Sequence, residues 1–269
     1  MALLDQDPQT PVQIYTSIWT NNQLLFIFVL SGSRGYVGWC GGIECIQQMD
    51  NHAFDNVIVS LLKTSGALPH LQSLYGYSPL VDRVHHLVEK CKDSSDNATI
   101  PTKVSTYKSW SYQVESKNDL LWTDKTRALA KRAHLRLATW IDFPLLVNWS
   151  EHFVQDCGLN DGDMWTMCAN EIKKQKAYFW CLDDGTPTAM VWKRRALRHG
   201  ISVAYVYTPE ESRQRGYAAT MVAQFSEYLL ETEGYSYVTL LVDGNRDPAK
   251  NMYTSIGYKY VGEIFALYY

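Results

Sequence analysis

The segment Arg213–Ala218 (RQRGYA) combines basic and small residues in a way that suits phosphate binding. It lies between an apolar run that predicts a strand over 201–207 and an amphipathic pattern that predicts a helix over 216–230. The first N–H groups of a helix have no intrahelical partner, and the helix dipole makes that end positive. Gly216 and Ala218 leave room for an anion. The segment therefore predicts a phosphate site, with an ordinary strand-to-helix turn carrying a solvated arginine pair as the alternative.

Two common phosphate-binding motifs do not fit this segment. A P-loop requires a lysine and a Ser or Thr directly after its last glycine, and Tyr217 follows Gly216 here. A dinucleotide fingerprint requires several glycines, and this segment has one. The anion predicted here is therefore bound by some other arrangement of backbone groups.

The spacing Arg213-x-x-Gly216-x-Ala218 after a strand resembles the signature Gln/Arg-x-x-Gly-x-Gly/Ala of the GCN5-related N-acetyltransferase (GNAT) family. The later pattern Tyr253-x-x-x-Gly257-Tyr258 is similar to the end of that family's domain. The order of predicted elements from His134 onward also fits: strand, two helices, a hairpin-like pair, strand, helix, strand, helix, strand. The resemblance covers about the last 135 residues.

The resemblance implies an α/β (α+β) fold with a mixed, mostly antiparallel sheet flanked by helices. It also implies that acetyl-CoA, as co-substrate, lies where the fourth and fifth strands of the domain diverge. Tyr253 would then donate a proton to the departing thiolate. The residues that the resemblance assigns to acetyl-CoA are Tyr205, Val206, Tyr207, Arg213, Gln214, Arg215, Gly216, Tyr217, Ala218, Thr220 and Asn245. Asn245 departs from the family's usual spacing, and Thr220 would contribute a hydroxyl unless it is an exposed helix residue.

The sequence leaves the general base open. The predicted strand 202–208 carries no Asp or Glu. Acidic or imidazole side chains elsewhere in the domain are alternatives, as is a water relay or an amine that arrives already neutral. The candidates are Asp163, Glu171, His199 and Asp243.

The first half of the chain has strand-like, helical and loop-like segments but no second phosphate segment. Strands are expected near 23–30, 36–40 and 56–62, and the apolar spacing over 80–91 predicts a helix. We expect an N-terminal α/β domain over 1–125 and the GNAT-like domain over 133–269. The first is either a degenerate copy of the same fold or a different α/β cap.

Composition limits the classes of partner. The net charge of −3 gives no excess of positive charge for nucleic acid or an anionic membrane. The six cysteines form no C-x-x-C pair and complete no zinc pattern, so no metal is expected. The N-terminal residues 1–11 do not resemble a signal peptide, and the apolar run 24–30 is too short to span a membrane. We therefore expect a cytoplasmic protein with no membrane or nucleic-acid partner.

The leading functional hypothesis is transfer of an acetyl group from acetyl-CoA to an amine, most simply that of a small molecule. Two further readings stay open: another acyl group or a protein amine in the reaction, and a CoA-binding sensor or structural module without turnover. The sequence does not identify the acceptor, the oligomeric state or the acyl specificity.

Overall fold

The computed structural model describes residues 12–20, 23–31, 34–39, 51–64, 71–93, 105–159, 162–245 and 251–269. The chain forms two compact units, which divide within two of its strands. One contains the described residues up to Trp110 together with Gly262–Tyr269, and the other contains Ser111–Val261. Among the helices so described, none is long and apolar enough to cross a membrane.

The first unit combines a sheet with two helices. Its strands are β1 (Val12–Thr20), β2 (Gln23–Ser31), β3 (Arg34–Trp39), β4 (Ser73–Tyr77), the first part of β5 (Ser105–Val114) and the last part of β11 (Lys259–Tyr268); its helices are α1 (Asn51–Thr64) and α2 (Ser78–Asp93). The strands β1, β2 and β3 are antiparallel neighbours, β3 and β4 are parallel, and β4 is antiparallel to β11. Apolar side chains of α1 and α2 pack with Leu74 and Leu267 in its core.

One predicted strand of this unit is wrong. Residues 56–62 (NVIVSLL) lie in the 14-residue helix α1. Phe54, Ile58 and Leu62 are buried, while Val57 is 37% exposed. Burial at every fourth residue is the spacing of a helix. The seven residues 56–62 are mostly apolar, so this spacing is not visible in them unless the residues on either side are considered as well. The strand expected over 23–30 and the helix over 80–91 are confirmed by β2 and α2. The strand expected over 36–40 is confirmed as far as residue 39 by β3, and residue 40 lies outside the described residues.

The second unit contains the elements that the resemblance predicted. In chain order after the rest of β5 they are α3 (Asp124–Ala130), β6 (Ala133–Leu137), α4 (Phe143–Asp156), α5 (Met164–Lys173), β7 (Ala177–Leu182), β8 (Pro187–Ala196), β9 (Gly200–Tyr207), α6 (Tyr217–Glu231), β10 (Tyr237–Asp243), α7 (Met252–Ser255) and the start of β11. Strand order within this unit is β5-β10-β9-β8-β7-β6. Strands β6 to β9 are antiparallel, and β9 and β10 are parallel. The predicted mixed, mostly antiparallel sheet flanked by helices is confirmed.

The division of the chain differs from the expected one. The units separate between Trp110 and Ser111 instead of between residues 125 and 133, and the last eight residues return to the first unit. The reason lies in β11, whose Ile264 and Leu267 pair with Tyr77 and Leu74 of β4. Pairing between strands so distant in sequence leaves no local signal. Thus α3, which we expected to mark the boundary, is part of the second unit.

An aspartate precedes each of the helices α4 and α5, but only one of the two caps its helix. Asp163 caps α5, because its carboxylate accepts hydrogen bonds from the N–H groups of Trp165 and Thr166. Asp142 precedes α4 without a side-chain cap bond to it. Its carboxylate instead forms two hydrogen bonds of 2.7 and 2.8 Å with Arg136 and accepts one from Thr139 N at 2.8 Å. These bonds hold the pKa of Asp142 down at about 2.

Candidate functional site

The parallel strands β9 and β10 pair over only part of their length. Their register runs from Gly200 with Tyr237 to Val203 with Leu240 and stops there. Yet β9 continues to Tyr207 and β10 to Asp243. Among the described residues, the edge of β9 that faces β10 therefore has no strand partner beyond Val203. An extended ligand can bind there through backbone hydrogen bonds, as a further strand would.

Tyr205 interrupts β9 inside this unpaired part. Its φ is +51°, in the left-handed region that non-glycine residues rarely adopt. Its side chain is 3% exposed, and its ring stacks on Trp192 with centroids 3.9 Å apart. The strain is held in place by this packing, and only the backbone of Tyr205 remains for a ligand on the strand edge. The half-buried Val206 and the buried Tyr207 complete the strand.

The predicted phosphate segment forms a turn with two left-handed residues. Gln214 has φ +63° and Gly216 has φ +89°. Gly216 is the N-cap of α6, and as a glycine it supplies no side-chain cap. The first hydrogen bond across the helix start runs from Thr220 N to Gly216 O at 3.1 Å. The N–H groups of Tyr217 and Ala218 precede it and have no intrahelical acceptor, which is the arrangement that an anion satisfies.

The two arginines of this segment are held by neighbouring protein groups. Arg213 Nη2 lies 2.6 Å from the Asp156 carboxylate, and its Nε donates to Thr208 O at 2.9 Å. Arg215 Nη2 donates to Glu211 O at 3.1 Å. Asp156 therefore offsets the positive charge that we expected Arg213 to supply to a phosphate. The same ion pair connects the loop between β9 and α6 to the end of α4. At the end of β9 the Thr208 hydroxyl oxygen is buried and, among the described residues, has no hydrogen-bond partner.

Thr220 and Asn245 are both bonded within the protein. Thr220 is fully buried, and its hydroxyl donates to Gly216 O at 2.9 Å. It is therefore not an exposed helix residue. Its hydroxyl stabilises the turn, and its contact with the co-substrate stays a prediction. Asn245 is exposed, and its N–H and side-chain amide both donate to Asp243 Oδ1 at 3.0 Å.

Tyr253 lies on the short helix α7, after β10. Asn251 caps this helix and accepts hydrogen bonds from the N–H groups of Tyr253 and Thr254 at 2.8 and 3.0 Å. The half-buried ring of Tyr253 is 6.5 Å from that of Tyr112 and 6.2 Å from that of Tyr258, centroid to centroid. The structure thus fixes the position of the phenol, while its role as proton donor stays a prediction.

The four candidates for the general base differ in environment. The carboxylate of Asp163 caps α5, that of Asp243 accepts from Asn245, and His199 is exposed in the turn between β8 and β9. Glu171 is only 5% exposed, and its Oε1 pairs with Arg194 Nη1 at 2.9 Å. Its Oε2 is buried and has no hydrogen-bond partner within the described ranges. The structure therefore favours none of them as a base exposed in the cleft.

Lys125 and Asp156 belong to this site but were not singled out from the sequence. Lys125, on α3, approaches Gly216: a β-carbon at Gly216 would lie 3.4 Å from Lys125 Cε and 3.8 Å from its Nζ. Asp156 ends α4 and pairs with Arg213. Each lies more than 50 residues from its neighbour in the chain. No local pattern identifies such pairs.

Residues 137–258 match the model of the acetyltransferase (GNAT) family. The C-terminal half of the chain is a GNAT acetyltransferase domain. The match begins in β6 and ends just after α7, so it includes the diverging strands, the left-handed turn and Tyr253. Among curated protein sequences, none matches the chain.

Solved structures of GNAT proteins share the fold at low identity. The chain superposes on a GCN5-related N-acetyltransferase from Sphaerobacter thermophilus with a TM-score of 0.60 and 12% identity, over 98% of this chain and 83% of the other. A GNAT-family acetyltransferase from Colwellia psychrerythraea gives a TM-score of 0.56 at 10% identity, over 94% and 84% of the two chains. A third, from Kribbella flavida, gives 0.52 at 15% identity, over 90% and 86%. Identity this low supports the GNAT fold alone.

Proposed function

We propose that the GNAT domain transfers an acetyl group from acetyl-CoA to the amine of a small molecule. One observation carries this proposal: the edge of β9 that is unpaired beyond Val203 leads into the turn at Gly216. The unpaired edge suits the amide-containing arm of acetyl-CoA, which can add to a strand edge. The turn suits its pyrophosphate, because unpaired N–H groups and the positive end of α6 favour negative charge.

The turn from Gln214 to Ala218, called the cradle below, fits this co-substrate. Gly216 has no β-carbon to fill the turn, and as the N-cap of α6 it supplies no side chain that an anion would have to displace. In the reaction the amine nitrogen forms a bond to the acetyl carbon and the carbon–sulfur bond breaks. The nitrogen gives up one proton to water, and the thiolate receives one proton, so that an amide and free CoA result. An N–H of Val206 or Tyr207, on the unpaired edge, would polarise the thioester carbonyl.

Tyr253 is the proposed proton donor to the thiolate. A phenol with a pKa of about 10 donates to a thiolate of pKa about 8–9 against a small gradient, so its position matters more than its acidity. The cap at Asn251 and the packing on Tyr112 and Tyr258 hold the ring of Tyr253 in place, which supports this role. An amine that reaches the site neutral would need no base side chain, in keeping with the absence of Asp and Glu from β9.

Binding is tested by calorimetric titration of acetyl-CoA into the wild type, Gly216→Glu and Gly185→Glu. Both glycines have left-handed φ values, +89° and +84°, so glutamate strains the backbone equally. Gly185 lies in the turn between β7 and β8 with open space around it. Only Gly216→Glu puts bulk and negative charge in the cradle, and we expect it alone to weaken binding by at least about tenfold. Equal loss in both variants would refute the cradle assignment.

Turnover is tested by thiol release across a panel of primary amines. We expect Tyr253→Phe to lower kcat by about 100-fold with acetyl-CoA binding retained, since general acid catalysis contributes about that much. Tyr260→Phe is the matched control, because Tyr260 is 49% exposed on the neighbouring β11. Unchanged turnover in Tyr253→Phe removes the proton-donor role. Binding without thiol release from any amine would indicate a CoA sensor instead of an enzyme.

A further inference from the structure

Lys125 brings a positive charge to the turn at Gly216 from outside the signature segment. The side chain extends from the short helix α3, and its Cε and Nζ lie 3.4 and 3.8 Å from where a β-carbon of Gly216 would stand. Lys125 is exposed, and no carboxylate pairs with it in the part of the chain that the structure describes. Its ammonium group thus lies close to Gly216, the N-cap residue of α6.

A hydrogen bond links helix α3 to α6. It helps to fix the position of Lys125 relative to the turn at Gly216. A capping box between Thr123 and Thr126 fixes the start of α3. At its other end, the Gln224 side chain on α6 donates to Ala130 O at 3.1 Å. Trp180 Nε1 donates in turn to Gln224 Oε1 at 2.6 Å and orients that amide.

The other cations of the turn are less available. Arg213 is paired with Asp156, and its guanidinium also donates to the Thr208 carbonyl. Arg215 donates to the Glu211 carbonyl. A lysine ammonium is a compact charge with three donors, carried on a flexible side chain. It can therefore donate a hydrogen bond to a phosphate group that a nearby backbone N–H already binds. Lys125 therefore stands where the signature arginines were expected to act.

We propose that Lys125 binds a phosphate group of the co-substrate, at the pyrophosphate or at the 3′-phosphate of its nucleotide. This inference rests on the proposed function, because it assumes that the turn at Gly216 holds a CoA thioester. The contact is a charge-assisted hydrogen bond at an exposed site. Its loss weakens acetyl-CoA binding by about tenfold at low salt.

The test is calorimetric titration of acetyl-CoA into the wild type, Lys125→Met, Lys125→Arg and Lys131→Met. Methionine keeps the stem that packs near Gly216 and removes the charge, while arginine keeps the charge. Lys131 is the exposed C-cap residue of the same helix and controls for net charge. We expect Lys125→Met alone to lose about tenfold in affinity, and we expect the difference from wild type to shrink between about 50 and 500 mM NaCl because salt screens an exposed contact.

A second titration with dephospho-acetyl-CoA locates the contact. If Lys125→Met still loses affinity for this ligand, the ammonium binds the pyrophosphate; if the loss disappears, it binds the 3′-phosphate, and either result supports the proposal. Equal affinity of wild type and Lys125→Met for acetyl-CoA overturns it, as does an equal loss in Lys131→Met or a loss that salt leaves unchanged. Those results leave the proposed function standing, whereas a wild type that binds no acetyl-CoA refutes both.

Discussion

Gly257 is a position in the GNAT domain that leaves almost no room for a side chain. Its φ is +102°, and a β-carbon there would lie 2.0 Å from the Asp119 carbonyl oxygen and 3.1 Å from Leu120 Cα. The same two segments are joined by a hydrogen bond from Leu121 N to Ile256 O at 3.0 Å. Substitution with alanine must therefore separate two backbone segments, because no flexible side chain can give way.

The expected cost has two parts. The left-handed backbone costs an alanine about 1–2 kcal/mol. Forcing a methyl group into a space closed by backbone adds about 1–3 kcal/mol. The matched control is Gly234→Ala, since Gly234 has φ +76° with nothing within 4 Å of its β-carbon position. We expect the free energy of unfolding to fall by about 2–5 kcal/mol in Gly257→Ala and by about 1–2 kcal/mol in Gly234→Ala.

Urea unfolding followed by tyrosine and tryptophan fluorescence measures both costs under one condition. The difference between the two variants isolates the close approach, because the backbone strain is common to them. The displaced turn directly follows Tyr253 on α7. We therefore also expect Gly257→Ala to lower kcat for thiol release at a temperature where it is still folded. Equal destabilisation of the two variants would show that the contact with Asp119 does not constrain the turn.

Two further predictions concern titratable groups of the same unit. The pKa of Asp142 is lowered from 3.8 to about 2, first by its hydrogen bonds with Arg136, so its ionised form stabilises the folded protein above about pH 4 and this contribution is lost as the pH falls toward 2. The free energy of unfolding, measured by thermal unfolding, should be about 1–2 kcal/mol higher in the wild type than in Asp142→Asn above pH 5, a value discounted because Arg136 is partly exposed. The two free energies should converge near pH 2. A difference that stays constant with pH would contradict this prediction. Burial raises the pKa of Cys168 to about 11, so at pH 8 this thiol should stay unmodified by iodoacetamide in the native protein while the exposed Cys157 reacts; peptide mass mapping that finds both modified equally would be the contrary result.

The elements of the second unit were predictable because their signals are local. Asp163 before α5, the Asp-Asp-Gly turn after β7 and the amphipathic run over 216–230 each lie within a few residues of the feature they specify. In the first unit, the ends of the apolar run over 56–62 do not coincide with the ends of helix α1, and the strand prediction was wrong there. A continuous apolar run fits a buried strand and a buried helix face equally, and only its packing on α2 decides.

The turn and the uncapped helix start at Gly216 were predictable from the sequence, but the charges around them were less so. The signature indicates where a helix begins without a cap, which depends on Gly216 and its immediate neighbours. It does not indicate that Asp156 offsets Arg213, since that carboxylate comes from the end of α4. Nor does it indicate Lys125, which precedes Gly216 by about 90 residues. Motif spacing describes backbone conformation, whereas the field that a phosphate meets is the sum over every charge that tertiary packing brings near it.

The same reasoning explains why the strain in β9 lies at Tyr205. A left-handed residue in a strand turns the backbone away from its neighbour, and the pairing of β9 with β10 ends two residues earlier, at Val203. A glycine would adopt that conformation with no cost, but it would lack the ring that stacks on Trp192. Packing of the tyrosine side chain thus holds the backbone of Tyr205 in this conformation. If acetyl-CoA binds along this strand edge as proposed, the backbone of Tyr205 would meet it while the buried ring would not.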